Sequence, residues 1–248
     1  MRILRFGWLV LLSLGLTVAT VSPLQAYKTV EGVEVKQKKQ WNWLSKDDKK
    51  QLLQSIPPAP AAGSPTDQAD LAEVLKRQAS RTPAEIAEAM FDKSFRLEIV
   101  TNGVLNSNFS PQNFPITFKL LQHVNEDESL LNSTLKNKYA RPRPFAAHAE
   151  VHPLFKVDQF SYPSGHSSGS HTFADILGVL FPDKKAALLA RADAVGHSRV
   201  VAGVHYPSDI TAGKQLAQAL MDALMANPAF QNDLAAAKAE IAQKQSLL

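Results

Sequence analysis

Cysteine is absent from the 248 residues. That excludes a disulfide framework and thiolate metal ligation, so an exported fold of this sequence must rest on packing. Net charge is also scarce. Twenty-seven basic residues against 23 acidic ones give +4, which falls to +2 if a leader carrying Arg2 and Arg5 is removed. Nucleic acid is therefore not an expected partner, and basic residues matter locally or not at all. Alternating strand patterns bounded by glycine turns are few, and no repeat occurs at solenoid periods. Beyond residue 26 no stretch is long and apolar enough to cross a membrane.

What is present begins with a leader. Arg2 and Arg5 precede an uncharged run from Phe6 to small Ala26, followed by polar YKTVEGVEVKQKK. The tripartite pattern predicts a signal peptide over 1–26, with a periplasmic or secreted product and no membrane attachment after cleavage. The alternative is an uncleaved anchor, since the run could just span a bilayer. Cleavage leaves 222 of the 248 residues, enough for one domain with a sizeable core. Residues 27–65 read as a lysine-rich polar arm that docks through Trp41 and Trp43, followed by the proline-rich connector SIPPAPAAGSP. Proline removes backbone donors and fixes φ, so the connector is extended.

From residue 66 to 248 the chain reads as helix. In DQADLAEVLKRQA, Leu71, Val74 and Leu75 fall on one helical face, and Thr82-Pro83 has the form of an N-cap followed by a first helical residue. Five further helical stretches start near Phe114, Ser167, Asp183, Ser208 and Pro228. The fold class predicted is all-α, a single-domain helical bundle. The helices over 208–245 carry apolar faces that could bury against a partner subunit. Glu126, Asp127 and Glu128 read as a solvated helix face.

Three polar clusters stand out. YPSGHSSGSH sets a Pro-Ser-Gly turn and His166 at the head of an apolar helix, where free backbone N–H groups favour an anion. KNKYARPRPF places Lys136 seven residues before Arg143, and its two Arg-Pro pairs end any helix and leave an extended segment able to aim a guanidinium inward. Arginine offers a planar fork for two phosphate oxygens, and lysine a point charge. SRVVAGVHYPSD places His205 six residues after Arg199 and Asp209 four after His205. A carboxylate there can accept one imidazole N–H and leave the other nitrogen free as a nucleophile. Each cluster alone has a plainer reading: surface charge, a helix cap at Ser164, a structural hydrogen bond.

In this order and spacing the clusters resemble the signature of the type 2 phosphatidic acid phosphatase superfamily: Lys-x6-Arg-Pro, Pro-Ser-Gly-His and Ser-Arg-x5-His-x3-Asp. Within it the chain looks most like the class A bacterial non-specific acid phosphatases, which share an export leader, a proline-rich entry, a DQA and a NPAFQNDLAAAKAEIAQ-like tail. The resemblance is strong from Lys136 to Asp209 and in the tail, and weak over Glu98 to Ser110. His197 and His171 stand where the family often has other residues.

The resemblance implies that Lys136, Arg143, Arg199, the Ser164 hydroxyl and the backbone N–H groups of Gly165 and His166 hold the phosphoryl oxygens. His205 would attack phosphorus and form a phosphohistidine, Asp209 would fix its tautomer, and a protonated His166 would act as general acid and then base. It implies small phosphomonoester substrates, inorganic phosphate and its analogue vanadate as ligands, some phosphotransfer, a homo-oligomer, and neither metal nor cofactor. His123, His148 and His152 read as surface or supporting groups rather than metal ligands. A vanadate-dependent haloperoxidase would carry the same three clusters. A non-catalytic phosphate-binding periplasmic protein would need only the basic residues.

Overall fold

The computed structural model describes residues 41–248, and among them every regular element is helical. The leader expected over 1–26 and the arm over 27–40 lie outside the described residues. Ten α-helices follow in order: α1 Lys46–Ser55, α2 Pro65–Ser80, α3 Pro83–Phe91, α4 Glu98–Thr101, α5 Pro115–Tyr139, α6 Pro144–Ala147, α7 Gly165–Leu180, α8 Lys185–Val201, α9 Pro207–Ala226 and α10 Pro228–Gln243. Six of them open on proline, whose fixed φ and missing N–H suit the first helical position and no later one. Proline thus sets where these helices start.

Two stretches differ from the sequence expectation. The arm contains α1, whose N-terminus is closed by a reciprocal capping box between Ser45 and Asp48. Ahead of it, Trp43 is buried edge-on against Phe230 at 5.2 Å, and its indole N–H donates to Asp233 at 3.0 Å. The described residues, Trp41–Leu248, form one compact unit. Second, the helix that starts at Thr82-Pro83 stops at Phe91. There the Arg96 guanidinium donates to the carbonyls of Phe91 and Ser94, each at 3.0 Å, replacing the helical partners those oxygens would have had. The turn carries Phe95 onto α7, where a Cβ on Gly169 would stand only 2.3 Å from its Cζ.

Helix α7 is the axis of the bundle, buried at twelve of its sixteen residues and packed along α8 and α9, with α5 across it. The core joins Leu131 and Leu135 of α5, Ile176 and Leu177 of α7, Leu188 and Val195 of α8, and Leu216 and Leu220 of α9. The apolar faces of α9 and α10, including Leu224, Phe230 and Leu234, are buried within this core. They are therefore not open to a partner subunit as the sequence suggested. Of the described helices, none is long and apolar enough to cross a membrane.

Glycine lets the helices approach closely at the head of α7. A Cβ on Gly213 of α9 would stand 2.7 Å from the Ser164 carbonyl oxygen and 2.7 Å from Ser167 Cβ. Both are held by helix backbone and cannot swing away. Gly213→Ala is expected to cost about 1–3 kcal/mol by overpacking, and to lower Tm by roughly 2 to 10 °C. Thermal unfolding monitored by circular dichroism measures it; an unchanged Tm would mean that α7 and α9 can part at no cost.

Candidate active site

The site forms where α5 ends and α7 and α9 begin. Lys136 lies in the last turn of α5, and Ala140 closes that helix in the left-handed conformation at φ 46°. The two Arg-Pro pairs then hold the chain extended, with Arg143 at φ −72° and ψ 157°. Arg143 turns inward: Nε donates to the Gln159 carbonyl at 2.6 Å and Nη1 to the Val204 carbonyl at 2.7 Å. The same Nη1 stands 3.1 Å from His205 Nε2. Lys136 Nζ donates to the carbonyls of Phe160 at 2.6 Å and Ser161 at 3.2 Å. Both cations are thus aimed by carbonyls of the irregular stretch before α7.

His205 sits two residues before α9 and Asp209 in its first turn, so the four-residue spacing brings ring and carboxylate together. Nδ1 of His205 is 3.2 Å from Asp209 Oδ2. That oxygen also accepts the Tyr206 N–H at 2.9 Å and the Ser161 hydroxyl. A carboxylate on one ring nitrogen and a guanidinium on the other leave a single consistent tautomer. The proton is on Nδ1, and the Nε2 lone pair faces Arg143. Ring and carboxylate are both buried.

Ser164 caps α7, its hydroxyl accepting the Ser167 N–H at 3.3 Å, while its own N–H donates to the Asp209 backbone carbonyl at 3.0 Å. The starts of α7 and α9 are thereby joined. Gly165 and His166 are the first two residues of α7, where backbone N–H groups have no helical acceptor. The His166 ring meets Phe95 edge-on at 5.5 Å. Its Nε2 is one of few buried side-chain atoms without a hydrogen-bond partner among the described residues; Arg199 Nε is another. Arg199, at the end of α8, donates through Nη1 to the Asp92 carbonyl at 3.2 Å and lies 5.0 Å from the Phe155 ring.

Electrostatics follow from this crowding. Burial and then the neighbouring Arg143 bring Lys136 down to about 7, with Asp209 opposing. Burial and Arg143 bring Arg199 down to about 9, and burial brings Arg143 to about 10. His205 is pushed well below the ordinary histidine value by burial, Arg143, Lys136 and Arg199, and His166 by burial, Arg199 and His205. Three buried cations and two neutral imidazoles share one carboxylate. Such a cluster favours an anion, and a tetrahedral oxyanion matches donors spread over several elements.

All eight site residues expected from sequence, His205, His166, Asp209, Lys136, Arg143, Ser164, Gly165 and Arg199, lie in or around this cluster. Others were missed. Arg141 binds Asp209 Oδ1 at 2.8 Å and Ser161 touches the same carboxylate. Glu128 and Asp127 are buried rather than solvated: Asp127 accepts the Asn42 N–H at 3.0 Å, and Glu128 accepts the Ser168 hydroxyl below the head of α7. Burial pushes the Glu128 carboxyl up to about 7. The signal was legible, because Val124, Asp127, Glu128, Leu131 and Leu135 share one face of α5. Of the remaining histidines, His171 is buried between the Ser167 carbonyl at 2.8 Å and Asp193 at 3.0 Å, while His197 is exposed. No group of three or more His, Asp or Glu able to hold a metal ion occurs among the described residues.

Comparison with known proteins agrees with this geometry. The family model of the PAP2 superfamily matches residues 128–231, which contain all three polar clusters. The chain is 32% identical over 205 residues to the non-specific acid phosphatase of Providencia stuartii, covering 77% of this chain and 81% of that one. It is 29% identical over 203 residues to the non-specific acid phosphatase of Salmonella typhi, covering 78% and 81%. Its architecture is similar to that of a bacterial vanadium-dependent iodoperoxidase, with a TM-score of 0.52 at 17% identity over 67% of this chain and 52% of that one. That last likeness concerns the fold alone. From the identity to the Providencia enzyme across four-fifths of its length, and from the match over the three clusters, the chain belongs to the PAP2 superfamily, among its acid phosphatases.

Proposed function

We propose that the protein is a metal-independent acid phosphatase that hydrolyses small phosphomonoesters through a phosphohistidine on His205, in the periplasm if the leader is removed. The observation that carries this reading is the locked ring of His205, with Nδ1 on Asp209 and the Nε2 lone pair turned towards the cations. A histidine serving only as a structural donor has no need of a guanidinium at its second nitrogen.

Lys136, Arg143, Arg199, the Ser164 hydroxyl and the first N–H groups of α7 hold the three phosphoryl oxygens and stabilise their charge as the bond to the leaving group stretches. His205 Nε2 forms a bond to phosphorus while the ester P–O bond breaks, and the leaving alkoxide takes a proton from His166. Water then attacks the phosphohistidine, His166 takes its proton, the P–N bond breaks, and orthophosphate leaves. An alcohol in place of water gives phosphotransfer. Because every named contact is to the phosphoryl group or the nucleophile, the chemistry does not select the leaving group, which supports a broad substrate range.

On this proposal His166 departs in one respect from the sequence expectation. His166 is held well below the ordinary histidine value by burial and Arg199, so it does not wait protonated. The proton it needs arrives with the substrate, as the monoanion of a phosphomonoester whose second ionisation lies near ~6. On the alkaline side that monoanion is lost, and Lys136, cationic below about 7, loses its charge as pH rises past it. Both changes weaken turnover in the same direction. On the acid side His205 stays neutral well below the usual histidine range. The expected kcat/KM profile is therefore bell-shaped with its maximum in mild acid, falling about tenfold per pH unit once the monoanion is lost and up to about a hundredfold per unit above the Lys136 value, where both protons are gone. A maximum at pH 8 or above would contradict the assignment.

His205→Ala is expected to abolish turnover and the acid-labile phosphoenzyme trapped by rapid quench. His166→Ala should lose about 10²- to 10⁴-fold on alkyl phosphates and clearly less on p-nitrophenyl phosphate, whose leaving group needs little proton assistance. Equal losses on the two substrates would remove His166 from the acid role. Activity should survive chelator undiminished; a loss restored by a divalent cation would overturn metal independence.

A further inference from the structure

We propose that Arg141 is the positioning residue of the His205–Asp209 pair, and that Asp67 and Asp70 of α2 set its aim. The inference rests on the reading of His205 as nucleophile. A carboxylate orients an imidazole only if its own plane is fixed, and that takes partners on both oxygens. Oδ2 of Asp209 has the His205 ring, the Tyr206 N–H and the Ser161 hydroxyl. Oδ1 has Arg141 Nη1 at 2.8 Å. Without Arg141, Oδ1 loses this partner and only the contacts at Oδ2 resist rotation about the Cβ–Cγ bond.

Arg141 is itself fixed to an unusual degree. Nη1 also donates to the Ser208 hydroxyl at 2.7 Å, and Nη2 donates to Asp67 Oδ1 at 2.7 Å and Asp70 Oδ2 at 2.9 Å. Its guanidinium lies 3.9 Å from the centre of the Tyr206 ring, and its side chain is only 5% exposed. Asp67 is anchored by the Gly63 N–H at 2.9 Å, at the end of the proline-rich connector. Asp70 accepts the Ser208 N–H at 3.0 Å and the Ser208 hydroxyl, so it also holds the start of α9. The connector, α2 and the first turn of α9 therefore meet on one cation.

Two features separate this role from that of another phosphoryl ligand. Arg143 approaches the pair at His205 Nε2 and Arg141 approaches it at Asp209 Oδ1, so a three-residue segment brackets the pair from its two ends. Moreover, both terminal nitrogens of Arg141 are engaged by carboxylates. A guanidinium facing Asp209 alone would draw off the charge that supports the His205 ring when phosphorus is attacked. Sharing Arg141 with Asp67 and Asp70 fixes Asp209 while leaving it that charge.

The test uses the full chain carrying Arg141→Gln, Arg141→Lys or Asp70→Asn. It measures kcat on p-nitrophenyl phosphate, Ki for inorganic phosphate, and Tm. Arg141→Gln should lower kcat by about 10- to 100-fold, the scale of a misplaced reacting group, with Ki for phosphate within about threefold of wild type. Arg141→Lys should restore part of kcat, because it returns a cation to Asp209 without the fork. A kcat within threefold of wild type in Arg141→Gln overturns the proposal. So does a parallel loss of kcat, phosphate binding and Tm without rescue by lysine, which is what a merely structural residue gives. If Arg141→Gln does not fold, Asp70→Asn decides: a several-fold loss of kcat at unchanged Ki supports the role, and unchanged kcat overturns it. His205→Ala in the same assay separates the two readings. Retained turnover there removes the nucleophile, and this proposal with it. An inactive His205→Ala beside a normal Arg141→Gln removes this proposal alone.

Discussion

One backbone hydrogen bond, from the Ser164 N–H to the Asp209 carbonyl, sets the constraint around which the site is built. It joins the N-termini of α7 and α9, and each N-terminus carries about half a positive charge from its aligned peptides. Bringing two such ends together, beside Lys136, Arg143 and Arg199, is electrostatically unfavourable. The surrounding structure offsets it locally. Asp209 caps the start of α9, Asp70 takes the Ser208 N–H, and Ser164 closes α7. Gly213 removes the side chain that would keep the helices apart. The bundle packing of α7 between α8 and α9 then holds an arrangement that its charges alone would open.

Unlike Arg141, the cations Lys136, Arg143 and Arg199 are directed by backbone rather than by acids. Arg143 donates to the carbonyls of Gln159 and Val204, Lys136 to those of Phe160 and Ser161, and Arg199 to that of Asp92. Interior helical carbonyls are already engaged, so carbonyls available to aim a cation must come from irregular chain or helix ends. This accounts for the non-helical stretch between α6 and α7 and for the break after α3, which a bundle built for stability alone would have no need to keep. Carbonyls aim the cations without neutralising them, and the positive charge remains for an oxyanion. Had carboxylates done the aiming, the cluster would be self-satisfied.

Much of this was readable from sequence because proline, serine and motif spacing act locally. Pro83, Pro115, Pro207 and Pro228 mark helix starts, and the spacings around Lys136, Ser164, Arg199 and His205 identified the cluster before its geometry was known. What escaped was non-local. Nothing near Phe91 announces that Arg96 will take its carbonyl, and the lysine-rich composition around α1 conceals a capping box that two residues determine. Glu128 and Asp127 were misread because charge was weighed above periodicity, although they share the buried face of α5 with Leu131. Arg141 stood in plain view beside Arg143. Its role depends on Asp67 and Asp70, some seventy residues earlier, which no spacing rule connects to it.

Two buried groups show how the fold bears the cost of its site at every pH. Glu128, held up at about 7 by burial, binds a proton in the fold that the unfolded chain releases near 4.5. Stability therefore falls as pH rises between those values, and the penalty is complete above 7. Lys136, held down at about 7, lacks in the fold a proton that the unfolded chain keeps to 10.5, so its penalty is complete below 7 and fades as pH rises towards 10.5. The fold is thus strained by Lys136 in acid and by Glu128 in alkali. Only on the acid side does the strain coincide with the charge an oxyanion requires: Lys136 positive, and Glu128 neutral beneath the head of α7. Burying these groups makes sense for a protein that works where the cation, not the carboxylate, is ionised.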